Sequence, residues 1–110
     1  MPAFPGGNLK AAMKQVQKAQ ELMAKKQEEL SAMRVEASSG GGMVTVVANG
    51  QEEILDIKLD KEVVNPDEVD MLEDLILAAL KEVHLKAKEL VQKEMSGLMG
   101  HLGLPNIPGL

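Results

Sequence analysis

Lys10, Lys14 and Lys18 recur at steps of four near the start of this chain, and Lys25 falls on the same side of a helix. At about 100° per residue, the four occupy one stripe roughly 80° wide. The first 20 residues carry no acid. Lysines in the opening turns of a helix oppose its dipole, and nothing nearby offsets Lys10 or Lys14. Helix stability therefore does not account for them. A row of point cations without a pocket suits contact with a row of phosphates. The competing explanation is an ordinary solvated helix face. Lys26 lies off the stripe, close to Glu29, and reads as a surface residue.

A second basic set lies further along. Lys81, His84 and Lys88 share the solvent side of a second helix, and Lys86 and Lys93 form another line. Glu82, Glu89 and Glu94 interleave with them, so intrahelical ion pairs account for this set as well as phosphate contact does. In a dimer, the far ends of the helices would bring Lys86, Lys88 and Lys93 near the lysines of the first helix.

Other chemistries find little support. There is no Cys, so neither a disulfide framework nor a zinc-thiolate site exists. His84 and His101 are the only histidines and have no partner at ligand spacing, so no metal or cofactor is expected. The few serines and the single Thr45 fall in loops, on a polar strand face or at helix ends. No histidine stands at a recognisable offset from them, so no catalytic residues are expected. The Ser38–Gly42 run lacks the spaced glycine and Lys-Ser/Thr of a phosphate-binding loop, and it leads into a strand. No aromatic residue accompanies the lysines, so stacking on bases is not available. The carboxylates from Asp67 to Asp74 lack a glycine-bearing calcium loop. Capping explains the first three of them.

The net charge of −5 does not by itself suggest a nucleic-acid binder. Its distribution is uneven, however: from Glu52 to Asp74 there are ten acids against Lys58 and Lys61. A basic surface can coexist with that acidic pole. No apolar run of about 18 residues occurs, so no spanning helix and no membrane role are expected. The start, MPAFPGGN, has neither the basic nor the apolar part of a signal peptide.

The elements that would position these residues follow from pattern. Residues 1–7 read as an unstructured lead containing the one Phe, Phe4. From Asn8, a good cap, to about Met33 the pattern is helical. Leu9, Met13, Val16, Met23 and Leu30, with Gln20 and Gln27, make a heptad seam that asks for a second helix. Arg34–Ser38 alternates as a strand, and three glycines then break it. Met43–Ala48 is β-branched and apolar. Asn49-Gly50 predicts a two-residue type I′ turn with positive φ at Gly50, pairing Val46 with Glu53 and Val44 with Leu55. Val44, Val46 and Ala48 then share a face with Leu55, Ile57 and Leu59. Asn65 caps the last helix and Pro66 suits its first position. That helix runs to about Met95, with Gly97, Gly100 and Gly103 ending it. LEDLILAAL within it is more apolar than one sheet face requires.

The fold class is therefore α+β: α-β-β-β-α, a three-stranded antiparallel meander between two long helices. The division is a lead at 1–7, one domain at 8–96 and a flexible Gly/Pro/Leu tail at 97–110. The unfilled seam and the over-apolar helix predict a homodimer.

With order and motifs in hand, the chain resembles the YbaB/EbfC family of nucleoid-associated proteins. The likeness rests on NLKAAMKQVQKAQELMAKKQEEL, on SGGGMVTVVANGQEEILDIKLD and on LEDLILAALKEV followed by KAKEL. It covers roughly Asn8 to Met95. The resemblance implies a small homodimer of the bacterial cytoplasm and nucleoid, without catalysis or a small-molecule substrate. Its partner would be double-stranded DNA, bound with little sequence preference. The expected DNA contacts are Lys10, Lys14, Lys18, Lys25, Lys86, Lys88 and Lys93. The alternative is a dimeric protein-interaction module gripping through the apolar second helix and the Met/Leu tail.

Overall fold

The computed structural model describes residues 8–101. The lead at 1–7, the side chain of Asn8 with its expected capping role, and Gly103 with the rest of 102–110 lie outside the described residues. The element order is the expected one. Helix α1 spans Asn8–Ala32, strand β1 Arg34–Ser39, β2 Val44–Asn49, β3 Ile54–Leu59 and helix α2 Val69–His101. Short 3-10 turns at Gly40–Gly42, Lys61–Val63 and Pro66–Glu68 connect them. The strands form one antiparallel sheet in the order β1-β2-β3.

Helix α2 lies across β1 and β2 and puts Ala79 and Val83, one turn apart, on the sheet. Facing them are Ala37 from β1 and Val44, Val46 and Ala48 from β2, all at most 2 % exposed. Small side chains on both surfaces let helix and sheet approach closely. Burial of each valine contributes about 1.5–3 kcal/mol. Leu72, Leu75, Ile76 and Leu80 close the margins of this aromatic-free core.

The hairpin differs from expectation. Val44 pairs with Leu59 and Val46 with Ile57, so the register is displaced by four residues from a two-residue turn. A shift by an even number preserves which side chains share a face. Val44 and Val46 thus still align with Ile57 and Leu59, as the alternation predicts. Leu55 falls at an irregularity where Val47 opposes Asp56 but Ala48 opposes Ile54. The loop is closed by Asn49, which is 3 % exposed. Its Oδ1 accepts from the N–H groups of Gln51 (2.9 Å) and Glu53 (3.0 Å). Its Nδ2 donates to Glu53 Oε1 (2.9 Å) and to the Ser31 carbonyl (3.3 Å).

The left-handed residue of this loop is Glu52, with φ of 64°; Gly50 has no positive φ. Gly50 is required for space instead. A Cβ there would lie 2.7 Å from the Leu30 carbonyl oxygen.

At the other end, α2 does not stop near Met95. It continues through Gly97 and Gly100 to His101. A glycine costs a helix interior about 1 kcal/mol, and here burial of Leu98, 7 % exposed, offsets that penalty. The Pro66 start is as expected, in a 3-10 turn: Asn65 Oδ1 accepts from the Asp67 N–H at 3.0 Å.

Candidate nucleic-acid interface

The 25 residues of α1 extend about 37 Å and the 33 of α2 about 50 Å. They run antiparallel. Leu22 shares a small cavity with Leu98, and Gln27 shares another with Val91. One cation clasps the pair. Lys26 Nζ lies 3.1 Å from Glu29 of its own helix and 3.2 Å from Glu94 of α2. Hydrogen bonds to Glu29 and then to Glu94 raise the Lys26 pKa above its ordinary 10.5. Glu29 was legible as a neighbour; Glu94, 68 positions away, carried no signal in the sequence.

Beyond the clasp the first half of α1 projects as an arm. Leu9, Met13 and Val16 are each more than half exposed. The radius of gyration of 20.9 Å expresses this shape, since a compact chain of about 100 residues has about 13 Å. Asp67 and Glu68 of the Pro66–Glu68 turn and Asp70, Glu73 and Asp74 of the first turns of α2 sit at the end of the molecule away from the arm.

Lys10, Lys14, Lys18 and Lys25 are all exposed on α1. Helical geometry sets their stripe roughly opposite the Leu9–Met13–Val16 seam. Among the described residues these four lysines make no ion pair and no hydrogen bond to a carboxylate. The base of the seam, Leu30, is 1 % exposed against its own chain at Gly50. Only the upper seam remains open.

The α2 lysines are not gathered with Lys10 at the tip of the arm. Lys86 donates to the Glu36 carbonyl of β1 at 2.8 Å. Lys88 borders an open groove of about 480 Å³ beside Gln27, Gly50, Gln51 and Gln92. Lys93 is exposed and directly precedes Glu94. Gln27 is 17 residues from Lys10, about 25 Å along α1. A single chain therefore keeps Lys10 at the tip of the arm far from Lys88, while Lys25, two residues from Gln27 and lining a cavity with Gly97, lies at the α2 end of the stripe. His84 is exposed, and the side chain of His101 lies outside the described residues. Among the described residues no group of three or more His, Asp or Glu is placed to hold a metal ion. No helix among them is long and apolar enough to cross a membrane.

Comparison with known proteins agrees with this architecture. The model of the YbaB/EbfC DNA-binding family matches residues 6–102. A nucleoid-associated protein of Acetivibrio thermocellus is 53 % identical over 109 residues, 99 % of this chain and 94 % of that protein. A nucleoid-associated protein of Thermodesulfovibrio yellowstonii is 57 % identical over 98 residues, 89 % of this chain and 86 % of that protein. The crystal structure of an uncharacterized protein from Helicobacter pylori superposes with a TM-score of 0.61 at 20 % identity. That alignment covers 71 % of this chain and 90 % of the other, and it speaks to the fold alone.

Proposed function

This chain belongs to the YbaB/EbfC DNA-binding family, and from that premise we propose that it is a non-enzymatic, homodimeric DNA-binding protein of the cytoplasm and nucleoid. It holds duplex DNA through phosphates, with little preference among sequences. The observation that supports this most is the stripe of Lys10, Lys14 and Lys18 on a projecting helix, exposed and without carboxylate partners among the described residues. Cations so placed meet no internal need of the fold. They project from the end opposite the acidic pole, so a polyanion would approach the arm first. Lys25 continues the stripe, and Lys88 and Lys93 supply a second contact region nearer the sheet. Lys86 reaches DNA only by leaving the Glu36 carbonyl.

The exposed seam of Leu9, Met13 and Val16 favours a second reading, a module that takes an apolar helix of a protein partner. Salt separates the two. Each phosphate contact contributes about 0.9 to the slope of log affinity against log salt. Three α1 lysines from each of two protomers give a slope of up to about −5. Fluorescence anisotropy of random duplexes across a salt series tests this. Steep, sequence-independent decline is expected; a flat profile or no binding overturns the phosphate reading.

A further inference from the structure

The β2–β3 loop closes a groove against both helices. Gln27 and Leu30 of α1, Glu52 of the loop, and Lys88, Val91 and Gln92 of α2 line it. Its volume of about 480 Å³ lies within the usual size of small-molecule sites. That is room for on the order of a dozen water molecules, far more than one ion needs. Two bonds fix the walls. Gln51 Nε2 donates to the Gln27 carbonyl at 2.9 Å, and the Gly50 N–H donates to the Leu30 carbonyl at 2.9 Å. On α2, Val91 and Gln92 follow Lys88 by one turn and share its face.

Glu52 is the anomaly of this groove. It holds φ of 64°, and its Oε1 is buried with no hydrogen-bond partner among the described residues. A left-handed residue other than glycine and an unpaired buried acceptor each cost the free chain stability. The Glu52 side chain does not hold the loop in return, since Asn49 Oδ1 does that through Gln51 and Glu53. Strain that the fold does not repay gathers at binding sites. Lys88 brings the opposite charge from α2. Among the described residues it makes no ion pair, with Glu52 or any other carboxylate. The side-chain amides of Gln27 and Gln92 likewise make no hydrogen bond among the described residues; only the Gln27 backbone carbonyl is engaged.

We infer that the groove binds a free dipeptide, a zwitterion whose ammonium meets the Glu52 carboxylate and whose carboxylate meets Lys88. Charge selects this class. Lys88 repels a polyamine and Glu52 repels a phosphate ester, whereas a molecule carrying one charge of each sign satisfies both. Length selects within it. A single amino acid carries both charges on one carbon, while Glu52 and Lys88 stand on different elements and do not pair with each other. A dipeptide separates its charges by a peptide unit, whose N–H and C=O suit the amides of Gln27 and Gln92, each both donor and acceptor. Its side chains lie along Val91 and the edge of Leu30, so apolar ones are favoured.

NMR titration of the isotope-labelled full chain tests this, without DNA because Lys88 is also a proposed phosphate contact. The probes are leucyl-leucine, its N-acetyl derivative and its C-terminal amide. The parent is expected to bind leucyl-leucine about tenfold or more tightly than either blocked form. Glu52→Gln is expected to abolish the preference over the acetyl form and keep the preference over the amide. Lys88→Gln is expected to do the converse. That crossed pattern is one a merely structural role would not produce. Lys81→Gln, on α2 but outside the groove, is expected to leave all three affinities unchanged, and thermal melts check that each variant folds. A folded parent that binds none of the probes, or all three alike, overturns the inference. So does a preference that survives both Glu52→Gln and Lys88→Gln, or shifts that spare the groove. None of these readouts depends on duplex binding, so failure of the DNA reading would leave them unchanged.

Discussion

The backbone N–H of Gly50 donates to the carbonyl of Leu30 at 2.9 Å, and a Cβ at residue 50 would sit 2.7 Å from that same oxygen. This contact fastens the end of α1 to the β2–β3 loop, and so sets the direction in which the arm leaves the sheet. The glycine is there for proximity, not for a left-handed turn.

Gly50→Ala is therefore expected to destabilise the fold substantially. The alanine either pushes Leu30 away or breaks the bond and leaves a buried N–H unpaired, roughly 3 kcal/mol in all. Gly41 has φ of 68° but open space around its would-be Cβ. Gly41→Ala is expected to cost only about 1 kcal/mol of backbone strain, partly offset by a less flexible unfolded chain. Thermal melts should separate the two by about 10 °C. A larger loss at Gly41 would contradict the close approach.

Glu52 is the natural counterpart. It holds φ of 64° without being glycine, and its Oε1 is buried without a hydrogen-bond partner among the described residues. Glu52→Gly relieves both the dihedral and the stranded oxygen. It is expected to raise stability by about 1 kcal/mol, or about 4–8 °C in Tm for a chain of this size. A lowered Tm would mean that the carboxylate has a role in the groove it borders.

These two residues show where pattern stopped being informative. Element order was legible because heptad spacing, β-branched runs and the Asn65-Pro66 start are local signals. Asn49-Gly50 also looks local, but each residue serves a tertiary contact. Asn49 bonds Ser31, and Gly50 makes room for Leu30. The loop is consequently longer than the dipeptide predicts. The faces survived the four-residue register error because alternation has period two. Gly97 and Gly100 misled for a similar reason: burial of Leu98 outweighs their helix propensity. Of the basic residues, the α1 stripe could be read directly. The attachment of Lys86 to Glu36 depends on how α2 crosses β1, and the residues lie 50 positions apart.

The Lys26–Glu94 clasp should give a pH-dependent hold on the arm. The folded pKa of Lys26 is raised above 10.5, first by its bond to Glu29 and then by that to Glu94. Its contribution is thus full below 10.5 and lost as pH rises through the higher folded value. Hydrogen exchange in the C-terminal half of α1 should quicken across that alkaline window in the parent. Lys26→Met should exchange faster at neutral pH and show no such step. Equal steps in both proteins would assign the change to another group.

Charge reversal on the arm tests the DNA interface residue by residue. Lys10→Glu with Lys14→Glu removes four of the six α1 contacts in a dimer, and the salt slope should fall from about −5 toward about −2. Binding should weaken alike on every duplex, since phosphate contacts carry no sequence information. Lys81→Glu, on the solvent side of α2, should have a smaller effect because its neighbours include Glu82. Among the described residues the arm makes no ion pair with the body through Lys10 or Lys14, so the double variant is expected to keep the parent's Tm and sedimentation mass. That separation of binding from folding gives the test its force. A folded, dimeric double variant with the parent's affinity and slope would exclude α1 as the contact surface. The next substitutions would then be Lys88→Glu and Lys93→Glu, which lie on α2 and leave the Lys86 cap on β1 intact. If those too left duplex binding unchanged, phosphate contact through these lysines would be refuted, and the seam of Leu9, Met13 and Val16 would become the surface to probe with an apolar helical partner.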